Sequence, residues 1–208
     1  MKIRPALKFS LIIFLVIIIV ITVSKIFLVN YFAPQEIVEH YPMGQWVELN
    51  GAYTDVPEEY TQGYFVRVNN AEKLSVNEYI NKSNRQKLEQ HIFSDAKNII
   101  CISIEFRNDN KNQTVGGISF FNYILIPERK NEYFRWSADL WQYHQAGLQD
   151  HPFGFSVRNN LSQIFVVPYT YNERTYRSFS DLPPIEDKKF YLLVSNAPQK
   201  KYIDIITS

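Results

Sequence analysis

A single cysteine in 208 residues, Cys101, has no partner for an internal disulfide and supplies too few thiolates for a cysteine-built zinc site. Glycine is scarce at seven, and with only ten prolines the composition excludes collagen-like and flexible-linker chains. No sign of charge dominates either. The formal net charge of +1 gives no pull toward nucleic acid, so no nucleic-acid partner is expected. Gly-rich phosphate loops, an HExxH pair and a G-x-S-x-G elbow are missing, which removes the local signatures of nucleotide binding, zinc hydrolysis and α/β-hydrolase chemistry. What the chain has in quantity is aromatic and apolar side chains, 15 Phe and 14 Tyr among them, which suit a folded, strand-rich body.

Residues 9–29 form the one long hydrophobic run, with Lys25 as its only charge. As a helix, 21 residues reach roughly 30 Å, the thickness of a bilayer's hydrocarbon core. Lys25 is close enough to the end to snorkel, and Tyr31 and Phe32 follow as an interfacial anchor. A cleaved secretory signal is the competing reading, because Lys2, Arg4 and Lys8 make a basic leader. Against it stand the length of the run and the bulky residues after it, where a small-x-small site is needed. The same basic residues keep the N-terminus cytoplasmic, which predicts an exported body. The expected organisation is a cytoplasmic tail (1–8), a transmembrane helix (9–29), a stalk (30–45) containing Pro34 and Pro42, and an extracytoplasmic domain (46–208). The lipid bilayer is the first expected partner.

Beyond the stalk the hydrophobic period is two. Ile100, Ile102, Ile104 and Phe106 alternate with Ile99, Cys101, Ser103 and Glu105, predicting a half-buried strand over 98–107. Residues 108–112, NDNKN, are turn chemistry, and 117–126 returns as a second strand, so the two read as a hairpin. Further strands are predicted at 46–49, 64–68, 133–136, 153–157, 163–168, 190–195 and 202–206. Ile102, Ile104, Phe106, Phe120, Ile124 and Leu193 are expected core members. Ser75-Val76-Asn77-Glu78 has capping-box spacing, with Leu74 and Tyr79 placed as a staple, so a short helix starts at Val76. A second piece is expected at 85–91 and another short helix at 138–145.

An N-terminal anchor, an exported β-rich body and one Cys invite comparison with sortases, the cysteine transpeptidases of the cell wall. A sortase-like envelope enzyme is therefore the alternative function. Its nucleophile ends a Thr-Leu-x-Thr-Cys motif, however, whereas Cys101 follows Asn98-Ile99-Ile100. Arg107 is on the same strand face as Cys101 but about 20 Å away if the strand is regular. A Cys between Ile100 and Ile102 reads as an inert packing residue. His40, His91, His144 and His151 show no metal-ligand spacing, so neither a metal nor a cofactor is expected. The aromatic stretch 133–143, with Phe134, Trp136, Trp141 and Tyr143, is the candidate binding surface, and core packing is its equal alternative.

Gly51-Ala52-Tyr53, 63–68 (GYFVRV), 74–80 (LSVNEYI), 102–108 (ISIEFRN), Val167-Pro168-Tyr169 and 191–195 (YLLVS) ahead of Pro198 resemble a family of membrane-anchored Gram-positive domains of unknown function. That family is similar in turn to immunoglobulin-like, secreted immunoprotective domains. The resemblance implies a mainly β fold, an immunoglobulin-like antiparallel β-sandwich with one or two short helices, and a bacterial surface location. It carries over no catalytic residues. The expected function is a non-enzymatic binding or accessory role toward an envelope protein, a secreted peptide or a wall polymer.

Overall fold

The computed structural model describes residues 5–32, 36–82, 97–110, 117–119, 123–129, 133–144, 156–171 and 183–208. It comprises two units, residues 1–36 and 37–208. The first is one helix, α1 (Pro5–Phe32), whose stretch Leu11–Phe32 is long and apolar enough to cross a membrane. Phe9 and the apolar side chains from Leu11 to Phe32 are exposed, as on a helix that keeps its apolar surface for lipid. The predicted span 9–29 lies inside it. Of Lys2, Arg4 and Lys8, on which the orientation rests, Lys2 and Arg4 lie outside the described residues and Lys8 falls in the first turn of α1.

The second unit is built on nine strands: β1 (Val38–Pro42), β2 (Val47–Glu48), β3 (Tyr64–Leu74), β4 (Ile99–Asn108), β5 (Leu125–Pro127), β6 (Phe134–Trp136), β7 (Leu161–Tyr171), β8 (Lys189–Ser195) and β9 (Lys200–Ile206). They form one sheet in the order β1-β9-β8-β5-β6-β7-β4-β3-β2, antiparallel except for the parallel pair β1 and β9. The two ends of that order belong to neighbouring pieces of chain. The turn between β1 and β2 carries Gly44 at φ +82°, a left-handed conformation that favours glycine, and its N–H donates to the carbonyl of Val68 on β3 at 2.9 Å. Farther along, the N–H of Ser208, just past β9, donates to Ala71 of β3 at 3.4 Å. The Lys201 ammonium of β9 donates to the carbonyl of Glu48 on β2 at 2.7 Å. The sheet therefore curls until its ends meet, in a barrel-like arrangement.

This corrects the expected immunoglobulin-like sandwich. Alternation along a strand requires one face to be covered, but a second sheet is not the only cover, because a sheet that curls covers its own inner face. Val66, Val68, Ile102, Ile104, Phe106, Phe165, Val167, Phe134, Leu192 and Ile203 come from six strands and share one buried cluster. The register agrees: Val68, Ile104 and Phe165 stand opposite one another across β3, β4 and β7. A bulge between Val68 and Asn70 lets Ala71 resume the inward face.

Three further expectations change. Strand β4 pairs with β3 and β7, so 98–107 and 117–126 are not a hairpin, and β5, at the end of the second run, pairs with β6 and β8. Asn-rich turn chemistry marks a reversal of the chain without specifying the next partner. Residues 38–42, assigned to the stalk, are β1. Its exposure alternates only between half-buried and exposed, so it lacks an apolar face to read. Residues 156 and 157 are not strand, and 153–155 lie outside the described residues. Of the expected core, Ile102, Ile104, Phe106 and Leu193 are buried, Ile124 is half-buried, and Phe120 lies outside the described residues.

Helix α2 (Val76–Lys82) starts as its capping box requires. The Ser75 N–H donates to Glu78 Oε2 at 2.7 Å and the Glu78 N–H donates to Ser75 Oγ at 3.2 Å. Glu78's carboxyl is held below its ordinary range chiefly by that backbone bond. The predicted helix at 85–91 lies outside the described residues. Helix α3 (Ala138–His144) is where the sequence placed it. Leu140 of α3 and Val76 and Tyr79 of α2 join Leu74, Ile99 and Cys101 in a second apolar cluster, apart from the inner one.

Candidate functional site

Cys101 belongs to that second cluster and is 6% exposed. Burial, followed by the charge of Glu72, pushes its thiol pKa up to about 12, so almost none is thiolate at neutral pH. Attack by a thiolate from this position is thus disfavoured as built, which counts against the sortase-like alternative. Among the described residues, no three His, Cys, Asp or Glu side chains gather as metal ligands. His91 and His151 lie outside the described residues. Ser94 and Lys97 have the Ser-x-x-Lys spacing of another nucleophile class, and Ser94 also lies outside them.

The predicted aromatic surface divides between core and half-buried positions. Phe134 is 2% exposed and packs on Tyr171 and Phe190 with ring centroids 4.9 and 5.9 Å apart. Trp141 is 4% exposed and stacks on Phe165 at 6.1 Å. Neither offers itself to a partner, so for these two the core alternative is the correct one: Phe134 points inward from β6, and Trp141 reaches the inner cluster from α3. Trp136 is half-buried against the same cluster and meets Trp141 edge-on at 5.9 Å. Tyr143 falls in α3, and its side chain lies outside the described residues.

The outward neighbours of the inward residues build a different site. Between Phe134 and Trp136, Arg135 points out, and the exposed Tyr133 precedes it. The Arg135 guanidinium carbon sits over the Tyr133 ring, 5.4 Å from its centre. These two side chains face a groove of about 540 Å³ on the outer surface of the sheet. Ile124, just ahead of β5, Ile126 of β5 and Leu193 of β8 contribute its apolar part, and Lys200 and Tyr202 line it from β9. Thr54, Asp55 and Asn196 complete the lining, held there by a bridge between Tyr53 and Ala197. In that bridge the Tyr53 N–H donates to Ala197 at 2.9 Å, and the Asn196 N–H donates to Tyr53 at 2.8 Å.

Tyr202 links the groove to an aromatic row. Its ring stacks on His40 of β1 at 5.2 Å, and His40 meets Tyr191 of β8 edge-on at 5.3 Å. His40 Nδ1 is 2.7 Å from a carboxylate oxygen of Asp204, which orients the imidazole. This follows from register, since His40 pairs with Tyr202, and Tyr191 with Asp204, across adjacent strands. The groove thus combines rings, hydrogen-bonding groups and a cationic surplus: Arg135 and Lys200 against Asp55. A concave, partly apolar surface with a few convergent polar groups is the usual form of a ligand site.

A second outward cluster covers β3 and β4. Arg67 Nε and Nη2 donate to Glu105 Oε2 at 2.8 and 2.7 Å, and Asn69 Nδ2 donates to the same oxygen at 3.0 Å. Arg67 and Arg107 both lie against the Trp46 ring, 4.3 and 4.6 Å from its centre. Arg107 Nη2 lies 2.9 Å from Asp109, and these contacts tie the sheet together.

No motif marks the groove residues as one site: Ile124 and Leu193 read from the sequence as core, and Tyr133 as the start of the aromatic stretch. They come from five separate stretches of chain, and only the pairing of β5, β6, β8 and β9 gathers them. No curated protein and no solved structure matches the chain. A family model described as a domain of unknown function, DUF5028, matches residues 38–201, which is β1 through the start of β9. Because that match covers the barrel-like body and most of the chain, the chain belongs to the DUF5028 family.

Proposed function

We propose that this is a membrane-tethered, extracytoplasmic binding protein, without enzymatic activity of its own, whose ligand site is the outer groove between β6 and β9. The observation that carries the reading is the groove itself: about 540 Å³ with Arg135, Lys200, Asn196 and two Tyr rings converging on an apolar patch. The buried Cys101 supports a binding role over thiol chemistry. Lys2, Arg4 and Lys8, ahead of the apolar run, support a cytoplasmic N-terminus, and the resemblance to Gram-positive surface domains supports an envelope setting. Phe134 and Trp141 serve this reading indirectly, by fixing β6 and α3 from inside.

Three experiments test it. Protease added to intact cells should remove the body while a fragment containing α1 stays with the membrane; protection of the body would overturn the orientation. For the site, full-length protein in nanodiscs should be retained by purified envelope material, and Leu193→Arg, which places a long charged side chain in the groove, should abolish retention. Equal retention of both at unchanged melting temperature would move the site elsewhere. Turnover of an envelope substrate by the purified protein would overturn the non-enzymatic reading.

A further inference from the structure

The lining of the groove also indicates what it takes, an inference that rests on the binding reading above. We propose that the groove and the aromatic row beside it bind an acidic polysaccharide, with the anionic group on Arg135 and sugar rings against Tyr133 and Tyr202.

The charge argument comes first. Arg135 and Lys200 outnumber Asp55 in the groove, and Asp204 of the adjoining row is engaged by His40 at 2.7 Å. The contact of Arg135 with the Tyr133 ring holds its planar fork in place, and that fork matches a carboxylate or a phosphate through paired N–H donors. The anion is therefore named by this shared chemistry, and its two sources are separated below. Geometry then selects the scaffold that carries the anion. The groove lies on a sheet face, and β8 is paired on both sides, by β9 and by β5. Backbone donors and acceptors are thus committed to the ladders, and a bound peptide would find no edge to extend. A pyranose needs no such edge: its flat apolar face rests on an aromatic ring, and its hydroxyls use side-chain groups such as Asn196 and Thr54. Length comes from the row, because Tyr202 stacks on His40 and His40 meets Tyr191 edge-on, so aromatic side chains continue along the outer face beyond the groove. A monosaccharide would leave that extension unused, whereas a chain of sugars covers it.

The test uses the full-length chain in zwitterionic nanodiscs and measures affinity for tetragalacturonate, its methyl ester, pentamannose phosphate and polyphosphate. An acidic sugar should bind about tenfold or more tighter than the neutral ester, the size expected from one charge-assisted hydrogen-bonded pair. The tighter of the two acidic sugars identifies carboxylate or phosphate as the source. Arg135→Gln should reduce acid binding to the level of the ester. Tyr202→Ala should weaken acid and ester alike, and Asp55→Asn should strengthen acid binding severalfold. Polyphosphate bound as tightly as the sugars, with Tyr202→Ala silent, would overturn the sugar. Ester bound as tightly as acid, with Arg135→Gln silent, would overturn the anion and leave the groove a binding site. If no sugar binds while Leu193→Arg still abolishes envelope retention, this proposal fails and the binding reading stands. If Leu193→Arg is silent in both assays, both fail together.

Discussion

Replacing Arg67 with Met should destabilise the body strongly at neutral pH and much less in acid. Glu105 is 8% exposed at its side chain, yet its carboxyl is held below the ordinary range. Burial alone would raise it, but bonds from Asn69, Ser162 and Arg67 and the charge of Arg67 outweigh that cost. Met keeps the unbranched stem and removes both guanidinium donors, at 2.8 and 2.7 Å. Breaking a fully buried pair costs about 3–5 kcal/mol, but Arg67 is one-third exposed, so water recovers part of the loss and about 2–3 kcal/mol remains. For a body of this size that lowers the melting temperature by roughly 4–12 °C. The sign of the pH dependence follows from the depressed pKa. Stability contributed by Glu105 is present above its unfolded pKa, near 4.5, and is lost as pH falls through its lower folded value. In Arg67→Met the carboxyl protonates more readily, so the gap from wild type should narrow below about pH 4.5. Thermal melts of full-length protein in detergent at pH 7 and at pH 3.5, followed by Trp fluorescence, measure it. An equal gap at both values would refute the electrostatic account and leave only lost packing on Trp46.

Other substitutions separate the remaining contributions. Ile104→Ala empties space in the inner cluster and should cost about 2–5 kcal/mol in chemical denaturation, whereas Cys101→Ser, in the outer cluster, should cost about 1–3 kcal/mol for an unpaired hydroxyl. Tyr169 is fully buried and its hydroxyl has no hydrogen-bond partner among the described residues, so Tyr169→Phe should leave the melting temperature unchanged or raise it. A clear drop would reveal a partner. Ser75→Ala removes one half of the α2 capping box and should cost about 1 kcal/mol in urea denaturation, with Glu78→Ala similar and the double variant less than additive.

Local features were legible where a local cause produces them. The alternation of Ile100, Ile102, Ile104 and Phe106 requires a strand with one buried face, and the Ser75–Glu78 spacing requires a helix start; both are present. The choice between a sandwich and a curled sheet was not legible, because both bury the same alternating residues and differ only in which strands pair. That difference is settled by contacts far apart in sequence, such as Val38 with Lys200. β1 carries no sequence signal, because neither Val38, His40 and Pro42 nor Glu39 and Tyr41 form an apolar face. The aromatic run 133–143 was legible as important but not as inward or outward, since a ring suits a core and an interface equally. The groove was the least legible. Ile124, Arg135, Leu193 and Tyr202 carry no shared motif, and only their outward positions on neighbouring strands bring them together.

The parallel pairing of β1 with β9 has a consequence for how the molecule is made. The first strand to be synthesised waits for the last, some 160 residues later, before its main-chain groups are paired. Until then β1 and β8 each keep an open flank, and a chain halted before residue 200 cannot complete the sheet. Early segments therefore gain little stability on their own, and the gain arrives late and together. A chain translated through β9 pairs β1 and the open flank of β8 in one step, and a shorter product keeps both flanks available to other strands.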